Sequence, residues 1–259
     1  MVEDAYLSEL SRFPLIILAA SAVGLWIAAL FGAGVLRRRR PFDEGMRDNF
    51  NTILAATLTL LALIIGFSFS MAINRYDQRK DFEEGEANAI GTEYVRAALL
   101  PVEDAAKVRG LLIRYLDARI AYYTAENREE LHRAILDAAR LQKELWASVA
   151  VPATAQPTPI MALVAEGMND VLNRQGSVQA AWWNRIPAAA WGLMLAIAMV
   201  CNMLMGYGLR GPAHAKLLLV LPVTAGIAFM LIADIDAPRH GLIRVAPRNL
   251  VSLAQALRQ

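Results

Sequence analysis

Cysteine is nearly absent from this chain: one thiol, Cys201, stands among 259 residues, and it lies inside an apolar run. A single thiol closes no internal disulfide and cannot supply a pair of metal-binding sulfurs. Histidine is scarce too. His132, His214 and His240 lie far apart in sequence and read as solvated surface positions, so no metal site is expected. Charged residues are 19% of the chain, against roughly 25% in an ordinary soluble protein. The net charge is +2, which leaves no general basic footprint for nucleic acid. No segment alternates convincingly at a two-residue period, and there is no solenoid-length repeat or low-complexity tract. Paired histidines on a helix, a nucleophile elbow and a phosphate-binding loop are all missing. An enzyme is therefore not expected, and neither is a cofactor.

What the chain has in abundance is apolar residues, 56% of the total. They gather in two blocks near the N-terminus and two near the C-terminus, which predicts an all-α membrane protein of four transmembrane helices. The spans are 14–36, 52–73, 187–209 and 215–233, each near the roughly 20 residues needed to cross the hydrocarbon. Before the first span, Glu3, Asp4 and Glu9 stand against Arg12, which reads as an uncleaved helix rather than a signal peptide. Trp182, Trp183 and Trp191 suit the headgroup level. The block Arg37–Arg40, with Arg47 beyond it and with Arg210 and Lys216 in the loop after the third span, is expected to stay cytoplasmic. That makes a multi-pass cell-membrane protein with both termini and the central region outside the cytoplasm. Arg75, Arg79, Lys80, Arg239, Arg244 and Arg248 carry the opposite signal.

Between the second and third spans an inserted helical domain is expected in water. The division is 1–74 for the first two spans, 75–186 for the helical domain, 187–236 for the last two spans and 237–259 for a tail. Val108, Leu112, Tyr115, Leu116, Ile120 and Tyr123 recur at helical spacing behind Pro101. Leu131, Ile135, Ala138, Gln142, Leu145 and Val149 mark a second helix, expected to stop at VPATAQPTP, 151–159, because proline cannot donate to the helical ladder. A third runs over about 160–184.

The second span has no exit signal. From Thr52 to Leu100 there is no proline, so one helix of about 70 Å is expected to leave the membrane unbroken. Ala55, Thr59, Ala62, Gly66, Ser70, Asn74 and Asp77 fall on one stripe of it. Small and polar residues at membrane depth have two readings: close helix packing, or a polar pathway in an oligomer. Phe67 and Phe69 beside the stripe are either a constriction that gates by dewetting or ordinary bundle and lipid contacts. Farther along, EANAIGT (86–92) sets Glu86, Asn88 and Thr92 among small residues, which together with Asp77 suits a buried polar node. Past the fourth span, ADIDAPRHGLIRV holds Asp234, Asp236, Arg239 and Arg244. These are either local salt bridges at the membrane edge or a polar ring at one mouth of a path.

The sequences FSFSMAINRYDQRK, EANAIGTEYVRAALLP and ADIDAPRHGLIRV together resemble the bestrophin-like integral membrane family, and the resemblance covers nearly the whole chain. The layout of two spans, a helical domain and two spans is similar to that of true bestrophins. The resemblance implies a pentameric anion channel with apolar rings on its second helix, here Phe67 flanked by Gly66, Ser70 and Asn74. The acidic calcium clasp of the animal bestrophins has no match. The expected function is an oligomeric channel, its second span lining the path, with the bilayer, further copies of itself and ions as partners. The other class held open is a non-conducting membrane sensor or scaffold whose helical domain binds a partner.

Overall fold

A computed structural model describes residues 14–39, 44–208, 216–237, 239 and 241–259. Among these the regular structure is helical throughout, with no strand. Arg40, Arg210, His214, Ala215, Pro238 and His240, and the acidic leader, lie outside the described residues. The helices are α1 (Pro14–Phe31), α2 (Arg47–Arg96), α3 (Val102–Thr124), α4 (Arg128–Ala155), α5 (Pro159–Trp183), α6 (Ala188–Gly208), α7 (Val220–Asp236) and α8 (Arg248–Ala256). Among the described residues four stretches are long and apolar enough to cross a membrane: Pro14–Arg39, Arg47–Leu99, Pro159–Gly208 and Leu217–Asp236. The third of these includes α6.

Contacts divide the chain into two units, Met1–Tyr76 with Arg185–Arg244 and Asp77–Asn184 with Val245–Gln259. In the first, α1 packs on α6 and α7. Its core joins Leu25 of α1, Leu61 and Ala72 of α2, Met194, Ala198 and Cys201 of α6, and Ala225, Phe229 and Ile232 of α7. α1 passes at Gly32–Leu36 into a π-helical turn, which widens the helix where it lies against α6. The last span ends at Asp236, three residues beyond the expected 233. Its final turn closes with the Ala237 N–H donating to the Ala233 carbonyl.

The second unit is built on α3, α4 and α5, which bury Leu112, Tyr115 and Leu116, then Ala138, Leu145 and Val149, then Val164, Met168 and Val171. Asn127 starts α4 by accepting the Glu130 N–H at 2.9 Å, while the Glu130 carboxylate accepts the Glu126 N–H at 3.0 Å. This reciprocal arrangement satisfies two otherwise orphaned donors. α4 ends at Ala155, inside the expected stretch 151–159, after running through Pro152. Pro152 removes only the rung to Ser148, and the Gln156 N–H closes the last turn on the Pro152 carbonyl at 2.9 Å. Residues 245–259 are not a separate tail, because Leu250 and Ala254 of α8 are buried within this unit.

Trp182 is also reassigned. It is buried in the helical unit, with its ring centre 5.3 Å from Tyr122 and 5.4 Å from Tyr123, and so is a core residue rather than a headgroup anchor. Trp191 packs edge-on against Phe229, and Trp183 stays 75% exposed.

Candidate functional site

α2 is a single helix from Arg47 to Arg96, about 75 Å long at 1.5 Å per residue. Its apolar half buries one narrow face, Leu61, Ser68 and Ala72, flanked by the partly buried Leu58, Ile64 and Ile65. These positions recur every three or four residues, so the other faces point away from the chain's own spans. Thr59, Gly66, Ser70 and Asn74 lie there and are all exposed. A Cβ added to Gly66 would meet nothing within 4 Å. Phe67 beside it is 61% exposed and Phe69 37%. Only 11% of the apolar window of α2 is buried, against 44% for the last span. Among the described residues of one chain the stripe packs against no neighbouring span, and the Thr59 hydroxyl donates back to the Ala55 carbonyl at 2.9 Å.

The polar groups at the end of α7 are tied down. Asp234 is buried and accepts the Leu242 and Ile243 N–H groups at 2.8 and 2.9 Å. The turn between them needs Gly241, whose φ of 122° is costly for any residue with a Cβ, and that Cβ would run into the Asp234 carboxylate. Asp236 accepts the Ile186 N–H at 3.1 Å and pairs with Arg75 at 3.4 Å. Arg244 is exposed and donates to the Gly241 carbonyl at 2.9 Å, and Arg239 is half-buried. In this arrangement the two aspartates fold the exit of the span.

Residues 17–250 match the model of the Bestrophin-like domain. The chain belongs to the bestrophin-like family. No curated protein matches this bestrophin-like chain significantly. Among solved structures it is similar to a bacterial bestrophin homologue from Klebsiella pneumoniae. A point variant of that protein aligns with a TM-score of 0.68 and 12% identity over 94% of this chain and 97% of its own. A structure of the homologue obtained by Zn-SAD phasing gives 0.63 and 14% over 93% and 98%. At such identities the likeness is one of fold.

The residues behind the family resemblance have separate tasks in this bestrophin-like chain. Of the expected polar node Asp77, Glu86, Asn88 and Thr92, only Glu86 is buried; the other three are exposed. Successive α-helical residues are about 100° apart, so Asn88 and Thr92 cannot share the inward face that Glu86 shares with Ile90 and Glu93. The partner of Glu86 is Arg119 of α3, a buried residue next to Ile120 of the apolar stripe and absent from the helical spacing that marks it. The Arg119 Nε donates to Glu86 Oε1 and its Nη2 to Oε2 at 3.3 Å. The guanidinium lies 4.5 Å from the centre of the Tyr122 ring, and the Tyr123 hydroxyl donates to Glu86 at 3.4 Å.

Two further charges of α2 end other helices. Buried Arg79 donates to the Ala181 and Asn184 carbonyls, both at 3.2 Å, at the C-terminus of α5. Glu83 accepts the Leu250 N–H at 3.0 Å and the Asn249 amide at 2.7 Å at the N-terminus of α8. Each sign matches the helix end it meets. The sequence places these residues on a charged helix; it does not place the ends they cap.

Glu93 has a different environment. It is fully buried, and neither carboxylate oxygen has a hydrogen-bond partner. It lies about 30 Å along α2 past Ile73, where the apolar run ends, and thus outside the span. Burial pushes its pKa up from 4.5 to about 7, against a smaller opposing pull from Arg96. A raised carboxyl pKa stabilises the fold fully below 4.5, and that contribution is lost as pH rises through about 7. The helical unit should therefore lose on the order of 2–3 kcal/mol between these limits. Glu93→Gln should flatten that part of the pH profile in thermal melts of the detergent-solubilised protein. A variant that kept the parent's slope would remove Glu93 as its source.

Proposed function

We propose that this chain assembles with copies of itself in the cell membrane as an ion channel, not an enzyme, with α2 lining the conducting path and anions as the permeant ions. One observation carries the reading: the stripe Thr59, Gly66, Ser70 and Asn74 is exposed along the least buried of the four spans. Polar groups at membrane depth face protein or water rather than lipid. Four spans leave no room for a central pore in one chain, so a path requires several copies with their α2 helices around it. Phe67, 61% exposed beside the stripe, then supplies an apolar ring at one level. The choice of anions rests on the family resemblance.

The test is efflux from proteoliposomes. Chloride efflux is expected from the purified protein. Gly66→Leu, whose Cβ would meet nothing within 4 Å among the described residues, should cut it about tenfold or more by narrowing the path. Absence of flux across pH, voltage and calcium conditions would favour the non-conducting scaffold.

The same proposal puts the loop between α1 and α2 in the cytoplasm and the termini outside it. Arg75 is held by Asp236 and Arg79 is buried against α5, so neither is a free juxtamembrane charge. The exposed Arg38 and Arg39, in the short loop between two spans, are then weighed above the exposed Lys80, Arg244 and Arg248, which lie in or beside the longer helical unit. A cysteine introduced at Asp48 should react with impermeant reagents only after the cytoplasmic face is opened; labelling of intact cells would reverse the orientation.

A further inference from the structure

The geometry points to a binding site for a small, doubly charged oxyanion from the aqueous phase, in a cavity of the helical unit between α2 and α5, held by Arg96 and Arg174. The cavity has a volume of about 320 Å³, and Asn88, Thr92, Arg96, Asp170 and Arg174 line it. The two helices carry the arginines reciprocally. Arg174 of α5 lies across Gly85 of α2, where a Cβ would stand 3.0 Å from its Nη1. Arg96 of α2 lies across Gly167 of α5, where a Cβ would stand 2.5 Å from its Nη1. Each guanidinium thus crosses the opposite helix at a point without a side chain, and the two converge on one space from opposite walls. Asn88 and Thr92, one turn apart on α2, add an amide and a hydroxyl between them.

The lining selects the ligand by its chemistry. Asp170 already accepts from Arg174 Nε at 3.1 Å, which leaves the terminal nitrogens of that guanidinium for a guest. Glu93 acts electrostatically on Arg96 but makes no hydrogen bond to it. A cation would meet two guanidiniums, and an apolar guest would strand several donors. A tetrahedral oxyanion matches planar, forked donors on two sides. The ion comes from water and not from a lipid headgroup. Along α2, Asn88 lies about 22 Å beyond Ile73, whereas the headgroup layer is only roughly 5–8 Å thick.

The site has a built-in dependence on pH. Glu93 lies against the α5 wall of the cavity, where a Cβ at Gly167 would overlap its carboxylate, and the charge that acts on it is Arg96 on its own helix; Asp170 and Arg174 line the same cavity. With Glu93 protonated, the two arginines against Asp170 leave one positive charge. With Glu93 ionised, the sum is zero. Oxyanion binding therefore weakens as pH rises through about 7. None of this rests on conduction, and the test measures binding alone.

The probe is sulfate, which stays a dianion at every pH used, titrated calorimetrically into the full chain in detergent against chloride of equal ionic strength. Saturable binding is expected at pH 6, about tenfold weaker at pH 8. Arg96→Gln and Arg174→Gln should each weaken it by about tenfold or more. Arg114→Gln, the same charge change in the groove between α3 and α4, should leave it unaltered. Glu93→Gln should hold the pH 6 affinity at pH 8. No sulfate binding by the folded protein, or binding untouched by Arg174→Gln if Arg96→Gln fails to fold, would overturn the site. Displacement of sulfate by phosphatidylglycerol micelles would overturn the aqueous source.

Discussion

Arg119→Leu is expected to cost the helical unit about 3–5 kcal/mol, a large fraction of the stability a domain ordinarily has. The cause is what is left behind. Glu86 and Arg119 are 0% and 1% exposed, and each supplies most of the other's compensation. Leucine fills much of the space, but the Glu86 carboxylate keeps only the Tyr123 hydroxyl at 3.4 Å. An uncompensated buried charge must then stay ionised at high cost or take up a proton. Arg119→Lys should also be costly, because an ammonium cannot reach both carboxylate oxygens while lying flat on Tyr122. The double variant Glu86→Leu with Arg119→Met should recover most of the loss, since a well-packed apolar pair in place of a buried ion pair is often neutral. Near-UV circular dichroism of Trp182, packed against Tyr122 and Tyr123, reports the melting of this unit directly. A single variant within about 1 kcal/mol of the parent would show that the pair is not buried as described.

This pair also shows where the sequence stops being informative. The spans, the unbroken second helix and the helices of the inserted unit were legible, because a run of apolar residues and a period of three or four are local properties. The outward stripe of α2 was legible as a stripe. Whether Gly66, Ser70 and Asn74 met a neighbour was not, since that depends on which faces the other spans cover. The node was half legible. EANAIGT marked Glu86 as a buried polar residue, but its partner lies 33 positions away on a helix whose apolar pattern pointed to Ile120, beside Arg119. Arg79 and Glu83 read as solvated charges because nothing local says that one meets the end of α5 and the other the start of α8. The stop within 151–159 was legible, but not its exact residue: α4 passes through Pro152, whose carbonyl accepts the Gln156 N–H at the helix end. Asp234 and Asp236 were recognisable as a motif. Their task is set by the Leu242, Ile243 and Ile186 N–H groups that they accept, which no local pattern reveals.

The small residue that matters most for packing within the membrane unit is not Gly66 but Gly206, with Gly32 as its counterpart. On α6, a Cβ at Gly206 would overlap the Ala29 carbonyl. On the facing helix, a Cβ at Gly32 would overlap the Met203 carbonyl. The two glycines sit three residues from the carbonyl that the other one meets, so the backbones touch at two points one turn apart. This is the close approach that small residues permit in membrane bundles. The obstacle at each point is backbone, which cannot rotate aside as a side chain can. The whole clash therefore comes from the first carbon added. Gly206→Ala should be nearly as damaging as Gly206→Leu, each costing about 3 kcal/mol or more by forcing α1 and α6 apart. Gly192→Ala, on the same helix with nothing within 4 Å, should be tolerated. The measurements are the melting temperature in detergent and the monodisperse fraction after extraction. A Gly206→Ala protein melting as the parent does would mean that α1 and α6 do not meet in this register.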